Sequence, residues 1–211
     1  HVTEIKTAIE YWIKATVEPL PAIAELKTQP SKVAVAFWIN LIFAILYAIT
    51  ALVYDAIGRL PAVTPWMPVP EDVYYLYQTF WTVPWALVTW IAFSGIAYLL
   101  ALIGREDASR YAFEDALVVC GLAWVVPNLF LMWLPETILV PIFGVFWPMW
   151  AETLRLMVIP PVWQSFIVVV GLRETHEIGW LPGFAIGIVT VAGFLVSFFA
   201  YMRFCSETRA V

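Results

Sequence analysis

Between Val33 and Val53 the chain carries no charged side chain. At 1.5 Å per residue that run makes a helix of roughly 31 Å, enough to cross the hydrocarbon core of a bilayer. Nothing else in the sequence limits the fold as strongly. In hydrocarbon every backbone N–H and C=O must be paired within the protein, and a continuous apolar run of this length does so as a helix. Comparable runs follow at Trp81 to Ile103, Ala116 to Trp133, Leu156 to Leu172 and Ile178 to Met202. The expected fold is all-α, a polytopic transmembrane helix bundle of about five spans.

Composition agrees with a bilayer and narrows the partners. The 211 residues are 63% hydrophobic and 13% charged, with a mean hydropathy of +0.85, too apolar to be covered in water. The net charge is -5 and no basic block is present, so nucleic acid is not an expected partner. Cys120 lies in an apolar run and Cys205 just beyond one, and neither suggests a disulfide framework or a metal pair. The chain begins at His1, as a trimmed end would. Residues 1–32 carry Lys and Glu throughout and lack the apolar core of a signal peptide, which places the membrane address in the spans.

Residues 1–32 read as an amphipathic N-terminal segment. Ile5, Ile9, Trp12, Ile13 and Leu20 share one helical face, with Lys6, Glu10 and Lys14 on another. Such a helix either packs on its own membrane domain or offers a docking surface to a partner. Pro19, Pro21 and Pro30 then stiffen the entry to the bilayer. Asn40, the polar residue of the first span, is expected to bond a backbone carbonyl or a neighbouring helix. Gly58, Pro61, Pro65, Pro68 and Pro70 mark an exposed loop before the second span. Tyr74, Tyr75, Tyr77, Phe80, Trp81 and Trp85 read as an interfacial aromatic belt.

The turn from Gly104 to Tyr111 is short enough to make spans two and three antiparallel. Pro127 should kink or loosen the third span at Val126. Leu134 to Pro161 is the least regular stretch. Ile138 to Trp150, with Pro141 and Pro148, is too short to cross alone and reads as interfacial or re-entrant. Glu152 and Arg155, three apart on a helix face, are placed to neutralise each other, and Pro160-Pro161 should distort the first turn of the fourth span. Gly183, Gly187 and Gly193 suit close helix contacts in the fifth, and residues 203–211 form a polar tail. With five spans and a cytoplasmic N-terminus, Lys6, Lys14, Lys27, Lys32, Arg105, Arg110 and Arg173 lie inside. Arg59, Arg155, Arg203 and Arg209 lie outside, a modest positive-inside bias.

The last two spans are joined by a polar turn, Gly171-Leu172-Arg173-Glu174-Thr175-His176-Glu177-Ile178-Gly179. Arg173 can hold a lipid phosphate or the last carbonyls of the fourth helix, and Glu174 or Glu177 can pair with His176. Glu174, His176 and Glu177, joined by Glu114 or Asp115 from the other inner turn, also form a candidate divalent-metal set. The alternative is a solvated, salt-bridged helix connection.

Trp163, Gly171, Leu172, Arg173 and His176 together resemble the W…GLR…H signature of the bacterial branch of the Yip family, small five-span membrane proteins. Glu18-Pro19, Phe37, the Gly104 to Ser109 turn and the glycine-containing last span are similar in layout. The resemblance implies a non-catalytic protein of the bacterial cytoplasmic membrane, N-terminus inside, that binds membrane-protein partners or organises lipid. Eukaryotic relatives bind Rab-type GTPases and carry an Asp-Leu-Tyr-Gly-Pro motif. This chain has Leu76-Tyr77 followed by Gln78-Thr79, so that role does not carry over.

No nucleophile elbow, phosphate loop or zinc-protease motif is present, so neither an enzyme nor a cofactor is expected. The expected partners are the bilayer and either a membrane protein or further copies of the chain. The alternative function is a channel or transporter for a small solute or metal ion, because broken helices of this kind line solute sites. The spans read as holding Asn40, Gln164 and a few hydroxyls but no ionisable group, which favours a neutral solute within that alternative.

Overall fold

The computed structural model describes residues 2–60, 69–103, 111–144 and 147–204. Among these, every regular element is helical: α1 (Val2–Val17), α2 (Pro19–Leu26), α3 (Lys32–Ala56) and α4 (Tyr74–Leu102) lead to α5 (Phe113–Asn128), α6 (Val140–Phe143), α7 (Met149–Thr153), α8 (Ile159–His176) and α9 (Trp180–Phe204). Five continuous helical stretches are long and apolar enough to cross a membrane: Lys32–Ala56, Glu71–Leu102, Phe113–Phe143, Met149–His176 and Trp180–Tyr201. The protein is an integral membrane helix bundle.

Three of these spans are markedly longer than the apolar runs suggest, the second because it begins at Glu71, ten residues before Trp81. The third extends past Trp133 through two π-helical segments, Leu129–Trp133 and Pro135–Leu139, into α6, and the fourth begins at α7 and passes through a third, Leu154–Val158. Prolines account for the altered winding, since Pro135, Pro141, Pro160 and Pro161 each lack the N–H that an α-helix would give to the carbonyl four residues back. Ile138 to Trp150 is thus the corner where one span ends and the next begins. Gly144, at φ 59, closes α6 there in the left-handed region, and Ile142, Phe143, Met149 and Trp150 are exposed as interfacial residues are. The Gly104 to Arg110 turn, Pro61, Pro65 and Pro68, and the tail from Cys205 onward lie outside the described residues.

α5 is the central helix. From Ala116 to Asn128 every residue except Trp124 is buried, and α3, α4, α8 and the N-terminal helices pack around it. Close approach is made possible by missing side chains. A Cβ on Gly121 would lie 2.6 Å from Asn40 Nδ2 and 3.0 Å from Trp90 Nε1, and one on Gly171 would lie 2.6 Å from Val119 Cγ1 and 3.2 Å from Ile23 Cδ1. Asn40 donates to the Ala36 carbonyl at 2.8 Å, one of its two expected fates, and Trp90 Nε1 donates across to the Leu117 carbonyl at 2.9 Å.

The N-terminal helices dock on their own bundle, but not through the face the periodicity suggests. α1 buries Ala8, Tyr11, Trp12 and Ala15 against α3 and α5, with the Trp12 ring edge-on to Phe43 at 6.3 Å. Ile9, Ile13 and Val17 face outward. In a bilayer the branched aliphatics lose nothing by pointing away, and the small alanines let the helix sit close. α2 follows with Ala22, Ile23 and Leu26 buried against α5 and α8.

Lys14 and Glu25 form a charged hydrogen bond that clamps α1 to α2, and the Tyr11 hydroxyl donates to the same carboxylate at 3.1 Å. The Lys14 ammonium, with Tyr11 second, holds the Glu25 carboxyl below its usual range. Partial burial first, and then that carboxylate, push the Tyr11 hydroxyl upward. A depressed folded-state value means the clamp is complete above the unfolded glutamate range and is lost as pH falls through the folded value. Amide exchange in α1, corrected for intrinsic rate, should therefore accelerate below about pH 4, and Glu25→Gln should show the faster exchange already at neutral pH. Gly171→Ala should lower bundle stability by about 1–3 kcal/mol in a denaturation series, because Val119 has no room to yield.

Candidate functional site

The signature turn on α8 is occupied with holding helices together. Leu172 is fully buried, and Trp163 is half-buried against the main core. The Arg173 guanidinium lies 3.7 Å over the Trp180 ring, and its Nη1 donates to the Ile178 carbonyl at 3.3 Å, tying the end of α8 to the start of α9. Glu177, at φ 51, lets the chain reverse between them. His176 is buried, bonded through Nδ1 to Thr175 Oγ1 at 2.7 Å, stacked on Tyr111 at 5.6 Å and edge-on to Tyr98 at 5.9 Å.

The five residues of the candidate metal set are not brought to one point. Glu174 pairs with Lys27 at 3.5 Å, whose ammonium also donates to the Glu174 carbonyl at 3.2 Å. Asp115 and Glu114 pair with Lys32 at 2.6 and 3.7 Å. Among the described residues no group of three His, Cys, Asp or Glu side chains is placed to hold a metal ion. Lys27 closes α2 and Lys32 opens the first span, so the carboxylates of the two turns meet ammonium groups from the start of the chain.

The chemistry lies at the other end of the bundle. Arg155, on the π-helical start of the fourth span, has only 7% of its side chain exposed. Its guanidinium pairs with Glu136 on the third span and Glu152 on its own, and Nη1 donates to the Leu131 carbonyl at 2.7 Å. That carbonyl is the one Pro135 leaves without an α-helical donor. The Tyr54 hydroxyl donates to the Glu136 carbonyl at 2.6 Å and also bonds the Glu136 carboxylate. In the π register that carbonyl would look to residue 141, which is again a proline. Arg59 stands 4.0 Å from Glu136 and 4.4 Å above the Tyr54 ring.

The pairing of Arg155 with Glu152 agrees with their spacing in sequence. The expectation that no ionisable group lies within the spans is overturned. Glu136 lies seven residues, about 10 Å of helix rise, inside the end of the 31-residue stretch Phe113–Phe143, and Glu152 and Arg155 lie within Met149–His176. Sequence alone separated Glu136 from Arg155 because the stretch between them looked interfacial. Pro135 beside Glu136 was the signal, since a proline in a span leaves a carbonyl that another group must satisfy.

Beside this cluster is a cavity of about 380 Å³. Glu136, Glu152, Arg59, Tyr54, Tyr74, Tyr75, Gln78 and Thr50 line it, together with the apolar or aromatic Tyr47, Met132 and Phe198. Tyr74, Gln78 and Thr82 form the buried stripe of α4, while Tyr77, Phe80 and Trp81 on other faces remain exposed. The aromatic belt is therefore split, with Tyr74 and Tyr75 turned inward. Arg59 and Glu152 are partly exposed at the rim, so the cavity meets water at that face.

No family model matches the chain, and no curated protein or solved structure is significantly similar to it.

Arg155→Met should cost about 3 kcal/mol of stability, because it leaves the largely buried Glu136 carboxylate without its guanidinium and the Leu131 carbonyl without its donor. Adding Glu136→Gln to that variant should recover a substantial part of the loss, measured as a double-mutant cycle in detergent.

Proposed function

We propose that this membrane protein takes a small solute into the cavity that all five spans line, as a channel or transporter does. The observation behind this reading is the 380 Å³ cavity lined by Glu136 and Glu152, the two carboxylates that the buried Arg155 pairs with. Ionisable groups within spans are costly and characteristically serve solute or ion paths. Discontinuous helices beside them are the usual building material of such sites. The four charges, Arg59 and Arg155 against Glu136 and Glu152, cancel formally, which suits an uncharged or zwitterionic solute better than a metal ion. No bond-making step is assigned to any residue. On this reading the cavity is a binding and passage site.

The Lys and Arg distribution supports a cytoplasmic N-terminus, and the likeness of the α8 turn to the Yip family supports a bacterial inner membrane. With that orientation the cavity mouth faces outward. A second reading, a protein that binds membrane partners or further copies of itself, is favoured by the outward Ile9, Ile13 and Val17 stripe of α1. Docking of the opposite face of α1 on the bundle leaves that reading a smaller surface than the sequence suggests.

Accessibility tests the cavity directly. With Cys120 and Cys205 replaced by Ser, Thr50→Cys should react with a membrane-impermeant thiol reagent from one face of sealed vesicles, the face carrying Arg59. Failure to react from either face would remove the solute-site reading.

A further inference from the structure

We infer, building on the solute-site reading above, that the cavity takes a small betaine, a zwitterion whose cationic end is a quaternary ammonium. Arg59 receives its carboxylate, and the aromatic wall around Tyr75 receives its methylated nitrogen. Five aromatic side chains line the cavity: Tyr47, Tyr54, Tyr74, Tyr75 and Phe198. Tyr75 is edge-on to Tyr54 at 5.2 Å and 71°, and to Tyr74 at 4.9 Å and 81°. These rings stand as walls in different planes and not as a stack, the arrangement in which aromatic side chains hold quaternary ammonium groups. A cavity of about 150 Å³ admits benzene, so the 380 Å³ here has room for a trimethylammonium and a short acidic arm.

The charges on the wall divide in the way a zwitterion needs. Arg59 is the only Lys or Arg lining the cavity among the described residues. Its contact with Glu136 is 4.0 Å, beyond hydrogen-bond reach, which leaves its planar fork of N–H groups for a carboxylate. With Arg59 given to the solute's acid, Arg155, Glu136 and Glu152 together carry one net negative charge to set against the ammonium. The Arg59 guanidinium lies 4.4 Å over Tyr54, and Tyr75 is the next ring along. The groups for the two ends are therefore neighbours, as the single methylene between the charges of a betaine requires.

The state of the hydrogen bonds separates a quaternary from a primary ammonium. Of the four carboxylate oxygens of Glu136 and Glu152, three already accept bonds, two from Arg155 and one from the Tyr54 hydroxyl. A primary ammonium has three N–H groups to satisfy and would find too few acceptors, whereas a quaternary one has none and needs only ring faces and a nearby negative charge. A neutral polyol is disfavoured for the same reason. Thr50 Oγ1 donates to the Leu46 carbonyl at 3.1 Å and is also bonded to Thr137, and the Tyr54 hydroxyl is held by Glu136.

Four probes test this on the full chain in dodecyl maltoside, a detergent with neither charge nor choline, followed by saturation-transfer NMR: trimethylglycine, glycine, choline and the anion of tert-butylacetic acid. Trimethylglycine should give a saturable signal. Glycine lacks the methyl groups, and tert-butylacetic acid keeps the shape with carbon in place of the charged nitrogen; both should bind at least about tenfold more weakly. Arg59→Gln should weaken trimethylglycine about tenfold and leave choline unchanged, and Tyr75→Leu should weaken both, with the thermal midpoint of each variant measured alongside. Arg59 lies at the exposed rim, so its variant still decides the matter if Tyr75→Leu fails to fold. Either control probe binding as well as trimethylglycine, no saturable signal from trimethylglycine, or a signal indifferent to Arg59→Gln would overturn the assignment. Loss of the signal in phosphatidylcholine nanodiscs would also overturn it, by giving the aromatic wall to a lipid headgroup. Thr50→Cys accessibility keeps the two readings apart: reaction from the Arg59 face beside a failed probe series retains a solute site and removes only this specificity.

Discussion

In hydrocarbon a backbone carbonyl without a donor has no water to turn to, and this single constraint shapes the end of the bundle that carries Glu136 and Arg155. Pro135 and Pro141 remove donors from the third span, and Pro160 and Pro161 remove them from the fourth. The helices respond by widening to π winding, and side chains from neighbouring elements supply what is missing. Arg155 reaches the Leu131 carbonyl and Tyr54 reaches that of Glu136. Once a guanidinium has been drawn into the wall it needs counter-charges, and Glu136 and Glu152 provide them. The charged cluster and the broken helices are therefore one feature.

The two halves of the bundle are packed to different ends. Toward the N-terminal face, Gly121 and Gly171 bring helices into contact so close that a methyl group would not fit, and α2 seals the surface. Toward the other face, large aromatic and hydroxyl-bearing side chains stand apart around the open chamber. Dispersion and small-residue packing stabilise the first half. Hydrogen bonds and ion pairs hold the second. The solute-site proposal rests on this contrast between a solid end and an open one.

The turn that stands out most in the sequence is not where this chemistry lies. Gly171 is required by Val119 and Ile23, Arg173 by the Trp180 ring and the Ile178 carbonyl, and His176 sits between two tyrosines. A run of polar residues between two spans is conspicuous by contrast with its surroundings, and its work here is to fasten helices. The residues of the cavity are inconspicuous for the opposite reason. Glu136, Glu152 and Arg155 lie in a proline-broken stretch where charge looks like surface.

Apolar run length and the need to pair every backbone group made a five-span helical membrane protein legible from the sequence, along with the Glu152 and Arg155 pair and a backbone carbonyl as one of two expected partners for Asn40. Those properties are local, set within a turn or two of helix. Only tertiary structure decided which way α1 faces, that Lys27 and Lys32 pair with Glu174, Glu114 and Asp115 of the proposed metal set, and that Glu136 and Arg155 meet. Each depends on helices far apart in sequence coming together. In a bilayer hydrophobicity does not distinguish the inside of a bundle from the outside, so periodicity could not report it.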